Sequence, residues 1–187
     1  MIRDAIKASI ELKQKLLETP YPEQIQTIGE TIIGALRQGN RIFIAGNGGS
    51  AADAQHFAAE LVGIFENKQR RSLPALALTT NTSILTAIAN DFGFEYVFSR
   101  QLEALAKEGD IFIAISTSGN SENIRRGLQK AREMNVKTIG LSGNDGGKMK
   151  TCCDEIIIVP SVSTPRIQEC HIMITHIICE TIDEYFS

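Results

Sequence analysis

Short apolar runs alternate with longer helical patterns from about residue 40 to the end of this chain. The runs predicted to form strands are 41–46, 74–79, 110–116, 136–142 and 155–160, and the helical patterns cover about 50–65, 82–90, 94–106, 121–134 and 166–185. The run Ile156-Ile157-Ile158-Val159 is apolar at every position, as expected for a strand covered by helices on both faces. The pattern therefore predicts an α/β fold built on a doubly wound, five-stranded parallel sheet.

Two further helical patterns precede the sheet region and are separated by Pro20 and Pro22. Their apolar positions are Ile2, Ile6, Ile10, Leu16 and Leu17 in the first, and Ile25, Ile28, Ile32, Ile33 and Leu36 in the second. We expect a helical hairpin over residues 1–38 that belongs to one domain with an α/β core over 39–187. The hairpin is expected to pack on the core, and a share in subunit contacts is the alternative.

Two Gly/Ser-rich loops follow the first and the third predicted strand. They are Ala45-Gly46-Asn47-Gly48-Gly49-Ser50 and Ser116-Thr117-Ser118-Gly119-Asn120-Ser121. Glycines let backbone N–H groups face a ligand, and a helix that begins just after the loop adds its positive dipole end. With the flavodoxin-like strand order 2-1-3-4-5, both loops lie where the winding reverses, which is where ligands bind. The two loops therefore predict a crevice for a phosphorylated small molecule.

Each loop also has a purely structural interpretation. The first can be a tight turn between strand and helix, and the second can be an N-cap cluster in which Ser121 caps the next helix. The first loop has neither the GK[ST] sequence of a Walker A motif nor the spacing of a GxGxxG fingerprint, which argues against a nucleotide.

All three histidines lie on two predicted helices. His56 and Glu60 are four residues apart and share one helical face, where they can bind a metal, share a proton or form a structural pair. His176 lies in an otherwise apolar stretch, where a histidine is often simply hydrogen-bonded to a neighbour. If the last helix packs near the first loop, these three side chains can meet as N/O ligands for zinc or a similar ion. Asp53 faces the same side as His56 and is a candidate to orient its ring.

Composition limits the partners that the chain can have. The net charge of −3 does not indicate a nucleic-acid surface, and no apolar run reaches the roughly 18 residues of a membrane span. The start of the chain, Met1-Ile2-Arg3-Asp4, lacks the pattern of a signal peptide. The four cysteines are Cys152, Cys153, Cys170 and Cys179. They form no CxxC motif and are expected to be reduced, so a cytoplasmic location is expected.

Several stretches together are far more specific than any one of these motifs. They are GNGGSAADAQHFAAEL (46–61), LTAIANDFGFEYVFSRQLEAL (85–105), STSGNSENI (116–124), Gly146-Gly147 and RIQECHIMITHIICE (166–180). They resemble the phosphoheptose isomerases, also called sedoheptulose 7-phosphate isomerases, of the sugar isomerase (SIS) domain superfamily. The resemblance implies a homotetramer that interconverts sedoheptulose 7-phosphate and D-glycero-D-manno-heptose 7-phosphate, the first step toward heptose for lipopolysaccharide or other surface glycans.

The resemblance also implies roles for individual residues. The positions that match zinc ligands are His56, Glu60, Gln168 and His176, with one ion per subunit. The positions that match substrate ligands are Asn47, Gly48, Gly49, Ser50, Glu60, Asn90, Asp91, Ser116, Thr117, Ser118, Ser121 and Gln168. Glu60 and His176 match the acid/base pair. Gln168 and His176 are eight residues apart, about 12 Å along an ideal helix, so both side chains must lean toward a shared ion.

Two positions depart from the family pattern. Ile64 stands where the family commonly has an arginine, for which Arg70 or Arg71 is a candidate substitute, and Asn81 stands where it often has aspartate.

Three other functions compete with the isomerase. A non-enzymatic relative that binds the bacterial replication initiator lacks the histidine that matches His176. A sugar-phosphate sensor normally carries a DNA-binding domain, for which 187 residues are not expected to leave room. An SIS isomerase for hexose or pentose phosphates is disfavoured by the stretch 46–61.

Overall fold

The computed structural model describes residues 1–187, and at its centre is one parallel sheet with the strand order β2-β1-β3-β4-β5. The strands are β1 (Ile42–Gly46), β2 (Ala75–Ala77), β3 (Ile111–Ser116), β4 (Lys137–Gly143) and β5 (Glu155–Val159). All four pairings are parallel, with Ile42 opposite Ala75 on one side and Ile111 on the other. The predicted five-stranded sheet and its flavodoxin-like order are confirmed.

Seven α-helices surround this sheet. They are α1 (Ile2–Lys15), α2 (Tyr21–Arg37), α3 (Gly49–Val62), α4 (Thr82–Asp91), α5 (Ser99–Leu105), α6 (Glu122–Glu133) and α7 (Thr164–Tyr185). Helices α1 and α2 form the predicted N-terminal hairpin. None of the helices is both long and apolar enough to cross a lipid bilayer.

Two helix predictions were wrong in their extent. The helix predicted over 94–106 is divided into a 3-10 turn at Phe94–Tyr96 and α5. The break lets Val97 and Phe98, which lie between the two pieces, insert their side chains into the core. The helix predicted over 50–65 ends at Val62, because Gly63 leaves the helical conformation and a buried arginine side chain binds the last carbonyl groups.

The sheet separates two hydrophobic cores, since successive side chains of a strand face opposite sides. Phe43 and Phe112 pack with residues of α5 and α6 on one face. Ile44 and Ile113 pack with residues of α2, α3 and α7 on the other face. Helices α3 and α7 therefore lie side by side on the same face. Residues that follow the first strand in the chain are thereby brought close to residues that follow the last one.

The four cysteines are free thiols. Cys170 and Cys179 are buried in α7, and Cys152 and Cys153 are half-buried ahead of β5. Burial raises the pKa of the Cys153 thiol to about 12, so this group is uncharged at neutral pH.

Candidate active site

A crevice of about 330 Å³ opens at the carboxyl ends of β1 and β3, where the winding reverses. It is lined by Asn47, Gly48, Gly49, Ser50, Ile115, Ser116, Thr117, Ser118, Ser121, Thr164 and Gln168. Both Gly/Ser loops thus border one crevice, as the strand order predicts. The sequence did not point to Ile115 or Thr164. Thr164 is the first residue of a helix and follows two nearby serines, Ser161 and Ser163, a signal that could have identified it.

Three helices begin at this crevice. Their first residues are Gly49 in α3, Glu122 in α6 and Thr164 in α7, and the N–H groups of these residues have no hydrogen-bond partner in the protein. The N-cap residues Gly48, Ser121 and Ser163 make no capping hydrogen bond through a side chain. Unpaired N–H groups and positive helix-dipole ends favour an anion, so the crevice is suited to a phosphate group.

The second loop is held by its own hydroxyl groups. Ser121 occupies the N-cap position of α6 as predicted, but its Oγ atom lies 3.2 Å from Oγ of Ser116 and makes no capping hydrogen bond. Below the loop, Ser142 donates its hydroxyl to the Ser116 carbonyl at 3.0 Å. Gly119 adopts a φ of 64°, and a Cβ atom there would overlap the Gly146 carbonyl. The hydroxyls of Ser116 and Ser121 are thereby presented together at the crevice.

The first loop is tied to the second by a pair of amide side chains. Asn47 donates Nδ2 to Oδ1 of Asn123, and Asn123 donates Nδ2 to Oδ1 of Asn47, both at 2.9 Å. Asn123 is buried and was not identified from the sequence. This reciprocal pair uses Oδ1 and one Nδ2 hydrogen of Asn47 and links the first loop to the start of α6. On the opposite side, Gln168 packs so closely on Gly49 that a Cβ at position 49 would overlap its amide.

The predicted His/Glu cluster forms next to the crevice. Within α3, Nε2 of His56 lies 2.9 Å from Oε1 of Glu60. Across the helix pair, Nε2 of His176 lies 3.4 Å from Nε2 of His56, with the ring centroids 5.0 Å apart. The ring of Phe65 lies against His176, with the centroids 5.5 Å apart. The His56 side chain is 44% exposed and that of Glu60 21%, so a small molecule can reach both.

The donor atoms of this cluster suit a cation. The Nε2 atom of His56 has either one hydrogen or one lone pair, so it cannot make a full hydrogen bond to both the Glu60 carboxylate and Nε2 of His176. A spacing of 3.4 Å between two nitrogens matches tetrahedral zinc ligands at about 2.0–2.1 Å from the ion. Only part of the predicted ligand set is assembled, however. No three His, Cys, Asp or Glu side chains are arranged to hold a metal ion, and Gln168 is not hydrogen-bonded to the cluster.

Three other predicted residues lie outside these contacts. Asp53 is half-buried on α3, but it makes no hydrogen bond to His56, and its Oδ2 atom has no partner. Burial raises the pKa of the Asp53 carboxyl, an effect that the charge of His56 opposes. Asn90 and Asp91 are exposed at the end of α4, where Asn90 donates to Asp91 at 2.8 Å, and they do not line the crevice.

The two departures from the family pattern have different surroundings. Asn81 caps α4, since its Oδ1 accepts the N–H of Ile84 at 3.0 Å, and this role needs no charge. Ile64 is exposed just after α3. Arg70 cannot replace the missing arginine, because its side chain is buried and hydrogen-bonded to Asp183 and to backbone carbonyls. The Arg71 guanidinium lies over the Phe186 ring, 5.3 Å from its centroid.

Comparison with known proteins agrees with this architecture. The chain belongs to the SIS domain family, whose model matches residues 6–143. The phosphoheptose isomerase of Clostridium acetobutylicum is 53% identical over 184 residues, which cover 98% of this chain and 93% of that protein. The phosphoheptose isomerase of a Nitratiruptor species is 57% identical over 176 residues, which cover 92% and 94%. Within the SIS class the chain is therefore a member of the phosphoheptose isomerases.

Solved structures support the same assignment. The phosphoheptose isomerase of Neisseria gonorrhoeae superposes with a TM-score of 0.92 at 43% identity, covering 98% of this chain and 97% of that one. The enzyme from Francisella tularensis superposes with a TM-score of 0.94 at 35% identity, covering 98% and 96%. The similarity extends over nearly the full length of each chain.

Proposed function

We propose that this chain is an aldose–ketose isomerase that interconverts sedoheptulose 7-phosphate and D-glycero-D-manno-heptose 7-phosphate. The observation that carries this proposal is the meeting of His56, Glu60 and His176 beside a crevice onto which three helix N-termini open. The crevice can bind the phosphate of a sugar phosphate, and the cluster supplies groups that move protons. Relatives more than 50% identical carry the name phosphoheptose isomerase.

The two loops divide the substrate between them. The loop from Ser116 to Ser121 binds the phosphate through the hydroxyls of Ser116, Thr117, Ser118 and Ser121 and the free N–H of Glu122. The loop from Asn47 to Ser50 binds sugar hydroxyls, together with Gln168. Asn90 and Asp91 lie outside the crevice of their own subunit, so we assign them to the site of a neighbouring subunit.

Glu60 and His176 carry the proton transfers. Isomerisation through an enediol removes a proton from one carbon, returns it to the adjacent carbon and moves another proton between the two oxygens. A carboxylate and an imidazole are suited to these two tasks, and both lie against His56. We assign Glu60 as the base at carbon and His176 as the acid at oxygen, or the reverse.

We further propose that His56, Glu60, Gln168 and His176 hold one zinc ion per subunit. The short contact between the two imidazole nitrogens and the N/O chemistry of the donors support this assignment. The ion would polarise the substrate carbonyl. Because a carboxylate bound to zinc is a weaker base, Glu60 is expected to be free of the metal when it acts on carbon.

The assembly that we propose is a homotetramer. The α1–α7 face carries an apolar groove of about 480 Å³ lined by residues such as Leu17, Met173 and Ile177. Ile2, Ile6 and Ile10 on α1 are also more than half exposed. A monomer rarely leaves a continuous apolar surface of this kind uncovered, so this face supports a subunit contact. We propose that the enzyme acts in the cytoplasm. Its product would be a precursor of the heptose in lipopolysaccharide or other surface glycans.

A direct assay tests the activity. The purified protein is incubated with sedoheptulose 7-phosphate, with and without prolonged chelation, and aldose formation is followed. We expect turnover that chelation abolishes and added zinc restores. Turnover that chelation leaves unchanged would contradict the proposed zinc site but would leave the proposed isomerase activity standing. Absence of turnover with zinc present would instead favour the non-enzymatic binding protein.

A further inference from the structure

A buried arginine closes the end of α3. The side chain of Arg70 is completely buried, and each of its nitrogens donates. Nη1 donates to the carbonyls of Leu61 and Arg71 at 3.0 and 2.8 Å, and Nη2 donates to those of Glu60 and Gly63 at 2.7 and 3.3 Å. Nε donates to Oδ1 of Asp183 on α7. All five N–H groups of the guanidinium are therefore used.

Asp183 completes the arrangement from the other helix. Its Oδ2 atom accepts the backbone N–H groups of Glu66 and Asn67, both at 2.9 Å. Burial raises the pKa of this carboxyl, but the hydrogen bonds from Asn67, Glu66 and Arg70 lower it more, so its pKa lies below the ordinary value. The carboxylate is charged at neutral pH and matches the Arg70 cation. We refer to Arg70 and Asp183 together as the clamp.

The clamp connects the two helices that carry the proposed chemistry. It binds the α3 carbonyl group of Glu60 itself, and it is anchored on α7 seven residues after His176. Between these points it fixes the segment from Gly63 to Arg71, most of which is exposed. That segment carries Phe65, whose ring lies against the His176 imidazole.

We propose that Arg70 and Asp183 are positioning residues for the isomerase. They hold the Phe65 ring against His176 and keep Glu60 in place relative to His176. This inference rests on the proposed function. The contact of Phe65 with His176 is one of two ring contacts that this imidazole makes, and His56 is the other. Without a fixed segment 63–71, one side of the His176 ring is no longer held.

The test uses two variants and one matched control in the full-length protein. Arg70→Lys keeps the charge but cannot reach five acceptors, and Phe65→Leu removes the ring while leaving the clamp intact. Lys68→Arg is the control, because Lys68 lies in the same segment, is exposed and makes no hydrogen bond or ion pair through its side chain. The readouts are kcat and KM with sedoheptulose 7-phosphate and the imidazole resonances of the three histidines by NMR. The fully buried His171 on the same helix is the internal reference.

Arg70→Lys and Phe65→Leu are expected to move the His176 resonance, to leave that of His171 in place and to lower kcat about tenfold with KM changed less than about twofold. Lys68→Arg should behave like the wild type. An unmoved His176 resonance with wild-type kcat in both variants would overturn the proposal, even if Arg70→Lys melts at a lower temperature. A moved resonance without loss of kcat would overturn it as well. If the wild type itself has no turnover, the proposed function fails, whereas the resonances still decide whether the clamp orients His176.

Discussion

The Nε2 atom of His56 lies 3.4 Å from the Nε2 atom of His176, although 120 residues separate the two in the chain. The contact exists because α3 and α7 pack side by side on one face of the parallel sheet. Each helix alone offers an ordinary surface histidine or carboxylate. Their association creates a cluster of proton-transferring groups next to a phosphate crevice, and the predictions below depend on that association.

The first prediction concerns the acid/base pair. Glu60→Gln and His176→Gln should each lower kcat by about 10²–10⁴-fold, because each removes one proton-transfer group. Both positions are partly exposed, so the melting temperature should change little. Glu180→Gln is the matched control, since Glu180 is exposed one helical turn beyond His176 and should retain full activity. Steady-state kinetics decide the matter, and near-wild-type turnover in both variants would refute the assignment.

A second prediction uses the close packing of Gly49. In Gly49→Ala, the new Cβ atom would displace the Gln168 amide from the crevice wall, since this amide is the flexible end of a side chain. We expect KM to rise about tenfold, with little loss of stability. Gly34→Ala is a suitable control, because nothing lies within 4 Å of a Cβ there and Gly34 is in a helix. If the KM of Gly49→Ala equalled that of the wild type, Gln168 would not bind substrate.

The third prediction tests which loop binds the phosphate. Ser121→Ala removes a hydroxyl that lies at the crevice beside that of Ser116. A hydrogen bond to a charged group contributes about 1.5–3 kcal/mol, so the inhibition constant of inorganic phosphate should rise about tenfold or more. Ser83→Ala, at an exposed position on α4, should leave this constant unchanged. Equal phosphate inhibition of Ser121→Ala and wild type would move the phosphate to another part of the crevice.

The fourth prediction is a pH dependence of stability that originates at His171. Its Nε2 donates to the Ser142 carbonyl at 3.0 Å, and burial lowers the pKa of this histidine from 6.5 to about 4. Below pH 6.5 the unfolded chain binds a proton that the folded protein excludes. This stability is therefore complete above pH 6.5 and is lost, by about 3 kcal/mol, as the pH falls to 4.

Urea unfolding at several pH values checks this dependence. His171→Gln still offers a donor to the Ser142 carbonyl but does not titrate, so its free energy of unfolding should fall less between pH 6.5 and 4 than that of the wild type. Carboxylates such as Asp183 titrate alike in both proteins and cancel in the difference. Equal slopes for wild type and His171→Gln would show that His171 takes up its proton at the same pH in the folded and the unfolded chain.

Much of this architecture could be predicted because the responsible signals are local. The apolar runs specify β1 to β5, and the i, i+4 spacing of His56 and Glu60 specifies their contact. The division of the helix predicted over 94–106 was missed, because burial of Val97 and Phe98 is a tertiary effect. The reciprocal pair of Asn47 and Asn123 was missed for a similar reason, since nothing in either loop indicates that the two amides face each other.

Arg70 shows most clearly what the sequence could not supply. It stands in a polar stretch, Glu66 to Arg71, and resembles an arginine available for a ligand. Its partners are an aspartate 113 residues away and backbone carbonyls, which carry no sequence signal. Likewise, only the packing of the helices decides that Gln168 lies on Gly49 while His176 lies on His56.

Deuterium exchange during turnover tests the proton-transfer account most directly. Sedoheptulose 7-phosphate is incubated in D₂O with the zinc-loaded wild type and with Glu60→Gln and His176→Gln, and the sugar is examined by NMR. The wild type should form aldose that carries deuterium at carbon 2, with the rate reduced at least about hundredfold in both variants. Aldose formation and deuterium incorporation at the wild-type rate in both variants would contradict proton transfer by Glu60 and His176.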